Sequence, residues 1–118
     1  MCAGFASRAR LATRADFSRV YREGHRYPGQ ILVLYVRSTE GGRRVGVTAG
    51  RRLGGAVVRN RAKRRLREAF RRIEPRLRGH GDLVLVARTA AAAVRFEDIM
   101  LEMEALCAAG RLLCADGT

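Results

Sequence analysis

The chain has 118 residues, 47% of them apolar, and a formal net charge of +13. That length suits one domain with one core and is short for two; the apolar share excludes a disordered chain despite the charge. No apolar run approaches the roughly 20 residues needed to span a bilayer. The opening "MCAGFASRARLATRADF" has too short an apolar part for a secretory signal, so a soluble cytoplasmic protein is expected. A single domain over residues 1–118 follows, with flexible ends at about residues 1–9 and 110–118.

In chain order, "TRADFSRVYREG" reads as a short helix. Thr13 can cap its start, Phe17, Val20 and Tyr21 recur at helical spacing, and Gly24 can end it. A weak strand is placed near Arg26 and Tyr27. "QILVLYVRS" is a strand whose continuous apolar run implies cover on both faces, and "TEGG" is the turn after it. "RRVGVTAG" alternates Val45, Val47 and Ala49 against Arg44, Gly46 and Thr48, a half-buried strand. "RRLGG" breaks regular structure before the long helix "AVVRNRAKRRLREAFRR". "DLVLVAR" is a further strand, entered by "RGHGD". "FEDIMLEMEALCAAG" is the last helix, with acids in its first turn and Gly110 at its end. The order α-β-β-α-β-α gives an α+β fold, an αβ sandwich with helices packed on a central, mostly antiparallel sheet.

Cys2, Cys107 and Cys114 form no C-x-x-C pair, which points to reduced thiols, with Cys107 in the core. His25 and His80 lie in Gly-flanked loops without ligand spacing, so no metal site is expected in this chain.

The charge is localised. Residues 43–78 include fourteen basic and two acidic side chains, whereas the rest of the chain has ten basic and nine acidic. Such a footprint fits a polyanion. Only Lys63 among the 24 basic residues is a lysine. Arginine forks suit phosphates and bases, although a GC-rich genome would give the same bias.

On the basic helix, Val58, Ala62, Leu66, Ala69, Phe70 and Ile73 form one stripe. Asn60, Arg64, Arg67 and Arg71 point away from it. Arg59 and Lys63 flank it on one side, and Arg61, Arg65 and Arg72 on the other. Arg59, Lys63, Arg67 and Arg71 follow each other at i+4, where like charges destabilise a helix by about 0.2–0.5 kcal/mol per pair. A solvated face would normally mix signs, and this one does not. A membrane-surface helix would leave the sheet uncovered. A bound polyanion reverses the sign of the repulsion, and for folded RNA the contact would read backbone and shape. By pattern alone, Phe17, Tyr21 and Tyr35 read as core more readily than as base platforms.

"RVGVTAGRRLGGAVVRNRAKRRLREAFR" resembles the signature of the bacterial ribonuclease P protein subunit. The match rests on R-V-G-V in a strand, two basic residues before Leu-Gly, and then A-V-x-R-N-R-x-K-R-x-x-R-E. It extends to "RLATRADFSRVYREG" and "ILVLYV" upstream and "DLVLVARTAA" downstream, about residues 10 to 108. The resemblance implies a small subunit whose RNA partner carries the catalytic site and removes the 5′ leader of precursor tRNA. It implies Mg²⁺ ions, held mainly by RNA phosphates rather than by this chain, that activate water. One protein per ribonuclease P RNA is expected.

By position, the resemblance assigns Arg59, Asn60, Arg61, Lys63, Arg64, Arg65 and Arg67 to the RNA subunit. It assigns Phe17, Tyr21, Tyr35, Arg51, Arg52 and, more weakly, Arg88 to the single-stranded leader, and no catalytic residue to the chain. It also implies a left-handed β-α-β crossover around "TAGRRLGGAVVRN", opposite to the usual hand. Three departures stand out. Gly55 replaces a residue that is often polar or basic, Tyr21 stands where Phe is common, and the tail "RLLCADGT" lacks a basic extension.

Two other functions compete. A self-contained nuclease would need clustered acids or a His pair; Glu97, Asp98, Glu102 and Glu104 gather on the last helix but read as dipole partners and a solvated face. A general RNA-binding or ribosomal protein would share the charge footprint without needing the cleft aromatics.

Overall fold

In a computed structural model, the residues described are 8–10, 13–39, 43–79 and 81–112. They form, in chain order, β1 (Arg8–Arg10), α1 (Arg14–Glu23), β2 (His25–Pro28), β3 (Leu32–Ser38), β4 (Arg43–Ala49), α2 (Ala56–Ile73), β5 (Gly81–Ala87) and α3 (Phe96–Ala109). Short 3-10 turns sit at Arg51–Leu53, Glu74–Arg76 and Thr89–Ala92. Glu40, Gly41, Gly42 and His80, in the expected "TEGG" and "RGHGD" turns, lie outside the described residues, as do Cys2, Cys114 and most of the "RLLCADGT" tail.

One five-stranded sheet has the order β1-β4-β5-β3-β2. β3 pairs antiparallel with β2 and β5, while β4 pairs parallel with β5 and β1. The sheet is therefore mixed, its parallel half coming from the β4–α2–β5 crossover and from β1, a strand too short to show as a pattern in the sequence. The weak strand around Arg26 and Tyr27 is β2.

The hand of the crossover follows from the backbone. Arg88 N donates to Ile31 O, so β5 residues of that parity direct their amides toward β3. Leu83, Leu85 and Ala87 direct theirs toward β4, and their side chains join the core under α2. For L-residues, this sets β4 to the right of β5 when β5 is seen from α2 and runs upward. The chain moves leftward from β4 through α2 to β5, a left-handed crossover.

The two sheet faces are covered unequally. On one, Leu32, Leu34, Val36, Val45, Leu83, Leu85 and Ala87 meet Ala62, Leu66, Ala69, Phe70 and Ile73 of α2 and Ile99, Met103, Leu106 and Cys107 of α3. Each large side chain buried there contributes about 1.5–3 kcal/mol. On the other face α1 makes a small contact: Val20 on Val84, flanked by Phe17, Tyr35 and Val86. The α2 stripe begins at Ala62; Val58, expected on it, is 36% exposed because the first turn of the helix precedes the part that covers the core. Burial pushes the Cys107 thiol up to about 12, which makes it an inert core residue.

Local chemistry explains the helix ends. The Thr13 hydroxyl accepts from Asp16 N at 3.1 Å, the N-cap that the sequence implied. α2 begins after Gly54, whose φ of 131° only glycine adopts readily. Gly55, by contrast, has open space at its Cβ and gives α2 no side-chain cap. The polar residue missing at position 55 is thus a lost cap rather than a lost fit.

Glu102 corrects one expectation. Instead of belonging to a solvated face, its carboxylate accepts from Gln30 N at 3.0 Å, Ile31 N at 2.6 Å and Leu32 N at 2.8 Å. It thereby fastens α3 to the β2–β3 turn. A Cβ at Gly29 would strike that carboxylate and lie 2.8 Å from Leu32 O. Glu102→Ala should lower stability by about 2–3 kcal/mol, because three amide donors lose a charged acceptor. Gly29→Ala should destabilise as well, through collision with the same carboxylate. Urea unfolding checks both.

Candidate nucleic-acid interface

α2 presents a cationic face because its other face is anchored. Asn60, Arg61, Arg64 and Arg67 are exposed along the helix, and Arg59 and Lys63 are half-buried at the margin. Among the described residues, no carboxylate pairs with any of these six. The next turn differs: Glu68 pairs with Arg71 and, at 3.5 Å, with Arg72, and Arg72 also lies 4.9 Å from the Phe96 ring centroid. Arg65 is engaged too. It donates to Ala91 O at 3.0 Å and to Val94 O, tying α2 to the turn before α3. The unbalanced charge thus sits on the first half of α2, where the missing acidic residues also leave the positive helix end uncompensated.

Three aromatic residues gather on the opposite side of the sheet. Phe17 and Tyr21 project from α1 with ring centroids 6.4 Å apart. Tyr35, on β3, meets Tyr21 edge-on at 4.8 Å. Val20 is fully buried beneath them, but Tyr21 is 41% exposed, so the cluster is a half-open wall rather than core. Partial burial, with Tyr35 alongside, raises the Tyr21 phenol. Beyond Tyr35 the same face continues through Val33, Val86 and Thr48, which neighbour one another in register.

Arginines stand at one end of that strip. Arg51 and Arg52 are exposed on the turn after β4, and Arg88 follows β5. Arg88 donates through Nη1 to Gly29 O at 3.1 Å, which holds it at the β2–β3 turn that Glu102 also grips. Arg26 lies directly across from Tyr35 on β2 and is exposed. The sequence does not mark it, since its place depends on the hairpin register.

Behind α1 the face is charged. Asp82, 2% exposed, is held by Arg44 through Nε at 2.9 Å and Nη2 at 3.0 Å and by Arg37 Nη1 at 3.2 Å. Arg37 Nε reaches Glu23 at 2.8 Å and Arg44 Nη1 reaches Asp16 at 3.5 Å. Arg37 holds the Glu23 carboxyl below its usual range; the Thr13 hydroxyl and then Arg44 do the same for Asp16. Stability from these carboxylates is present above the ordinary carboxylate range and is lost as pH falls through their lowered values.

Among the described residues no cluster of three or more His, Cys, Asp or Glu side chains could hold a metal ion, and no helix is long and apolar enough to cross a membrane.

The fold is shared with known proteins. The ribonuclease P family model matches residues 5–110. The ribonuclease P protein component of Symbiobacterium thermophilum is 43% identical over 110 residues, spanning 92% of this chain and 96% of that protein. That of Clostridium acetobutylicum is 37% identical over 93 residues, spanning 76% and 78%. The Staphylococcus aureus RNase P protein superposes with a TM-score of 0.78 at 27% identity, covering 89% of this chain and 97% of that one. The Thermotoga maritima protein gives 0.74 at 28% identity, covering 82% and 93%. The chain belongs to the bacterial ribonuclease P protein family, the protein component of a tRNA-processing ribonucleoprotein.

Proposed function

We propose that the chain holds two RNAs at once, on opposite sides of its sheet. The first half of α2, through Arg59, Asn60, Arg61, Lys63, Arg64 and Arg67, packs on the phosphates of the ribonuclease P RNA, with Arg65 bracing the helix from behind. The cleft beside α1 takes the single-stranded 5′ leader of precursor tRNA. Bases stack on Phe17, Tyr21 and Tyr35, and Arg51, Arg52 and Arg88 meet the backbone. Stacking on such residues is tolerant of sequence and worth about 1–3 kcal/mol per base.

The observation that carries this reading is the separation. An unpaired cationic face and a half-open aromatic wall lie on opposite sides of one sheet. A general RNA-binding protein needs only the first. A self-contained nuclease would need a catalytic cluster; of the acids on α3, Glu102 is committed to backbone amides and Glu104 pairs with Arg76.

In this reading the RNA subunit carries the catalytic centre, and Mg²⁺ held mainly by RNA and substrate phosphates activates the attacking water. The protein contributes charge neutralisation and a leader track. It works in the cytoplasm, one chain per RNA.

Reconstitution tests the proposal. The protein alone should leave precursor tRNA intact, and adding it to a bacterial ribonuclease P RNA at low Mg²⁺ should raise leader removal. Absence of stimulation would sink the reading, and cleavage by RNA-free protein would favour a nuclease. The two surfaces should also separate by mutation. Arg64→Ala or Arg67→Ala should weaken RNA-subunit binding and reduce the slope of log K against log salt by about 1 each. Phe17→Ala should leave that binding within twofold yet lower the preference for leader-bearing substrate about tenfold, matching one lost stacking contact. Filter binding across a salt series reads both, and equal losses in the two assays would defeat the division.

A further inference from the structure

α1 is a short helix with little to hold it. It has 10 residues, below the length at which helices are stable by themselves. Its one fully buried side chain is Val20, resting on Val84. Phe17 and Tyr35 pack only at the edge of that contact, and Gly24 joins the end of α1 to β2, whose first residue His25 pairs with Val36. So few contacts fix where the helix meets the sheet but hold its roll and tilt loosely, and these decide where Phe17 and Tyr21 stand relative to Tyr35.

Charge adds a second constraint. Asp16 and Glu23 are seven residues apart, two helical turns, on the flank of α1 away from Phe17 and Tyr21. Each meets an arginine of the sheet: Asp16 meets Arg44 at 3.5 Å and Glu23 meets Arg37 at 2.8 Å. Those arginines come from β4 and β3, with β5 between them, and both converge on Asp82 of β5. The convergence is set by register, since Asp82 is the cross-strand partner of Arg37 on one side and of Arg44 on the other.

A buried carboxylate needs its partners. The two guanidiniums are therefore held by a partner within the sheet, and they present donors at two points along α1. Single exposed ion pairs contribute little. Here the sheet ends of both pairs are ordered by one carboxylate, which removes much of the entropy cost. Arg22 also approaches Glu23, at 3.8 Å, but from α1 itself, so it cannot tie the helix to the sheet.

We infer that Asp82, acting through Arg37 and Arg44, is a positioning residue: it clips both ends of α1 to the sheet and sets the opening of the cleft between Phe17, Tyr21 and Tyr35. This rests on the leader reading above for its consequence, though the clip itself is a statement about α1. It makes leader affinity depend on five residues that touch no nucleotide. The hydrophobic contact at Val20 acts as the pivot and the two ion pairs set the angle.

The test uses the holoenzyme reconstituted with ribonuclease P RNA and compares leader-bearing with leaderless precursor tRNA. Asp16→Asn combined with Glu23→Gln removes the α1 ends of the clip, and with them the contact between the Asp16 carboxyl and the Thr13 hydroxyl, while the buried Asp82 cluster stays intact; a variant that keeps the Thr13 contact is therefore needed beside it. Asp82→Asn is the second variant. For the double variant, amide exchange in α1 should quicken at least tenfold while β5 is unchanged. KM for leader-bearing substrate should rise three- to tenfold with kcat unchanged. KM for leaderless substrate and RNA-subunit affinity should stay within twofold.

Asp82→Asn should shift the same two quantities in the same direction. Unchanged α1 exchange, or an unchanged leader preference alongside a lost preference in Phe17→Ala, overturns the clip and leaves the leader reading standing. If Phe17→Ala also keeps its preference, the leader reading falls and the proposed consequence of the clip with it. An equal loss on leaderless substrate overturns the proposal by showing general damage.

Discussion

β5 runs through the middle of the sheet, and both its faces must be covered. Its residues are almost all buried, with Leu83, Leu85 and Ala87 on one face and Asp82 and Val84 on the other. The first face takes α2 and α3, and the second takes α1. That requirement divides the molecule. Whatever α2 displays on its outer side is separated from whatever α1 displays by the thickness of the sheet. A protein that joins two RNA surfaces without letting them compete can be built from this one constraint.

The cationic half of α2 is tolerated because its inner stripe is so well buried. Repulsion along Arg59, Lys63 and Arg67 is a matter of tenths of a kcal/mol per pair. Leu66, Phe70 and Ile73 beneath it are each essentially inaccessible and contribute several times more. Arg65 adds a hydrogen-bonded brace. The helix can therefore keep its charges unneutralised until a polyanion arrives. The opposite face follows another rule: α1 has little apolar anchorage, and its charged flank takes over the work of orientation.

Much of this was legible in the residues. Thr13, Phe17, Val20 and Gly24 marked α1, and the alternation of Val45, Val47 and Ala49 marked β4. The signature around Asn60 carried the family and, with it, the hand of the crossover. Periodicity could not supply that hand, since general rules favour the other. Sequence missed what depends on register and docking. β1 is three residues long and exists only because β4 offers an edge. The stripe reading overextended to Val58, since spacing shows which side of a helix is apolar but not where the core begins. Glu102 looked like one acid among several until the β2–β3 turn placed three amides around it. Arg26 meets Tyr35 only through the hairpin register, and the Asp82 cluster joins residues far apart along the chain, so no local motif announces them.

The central claim is that one chain presents two nucleic-acid surfaces on opposite sides of a sheet. Placing a photoreactive amino acid at position 64 of α2 and, separately, at position 17 of α1 tests it directly, in the complex with ribonuclease P RNA and precursor tRNA. Irradiation should join position 64 to the ribonuclease P RNA and position 17 to the 5′ leader, and the position 17 product should disappear with leaderless substrate. Cross-links from both positions to the same RNA, or a position 17 product that persists without a leader, would contradict the account.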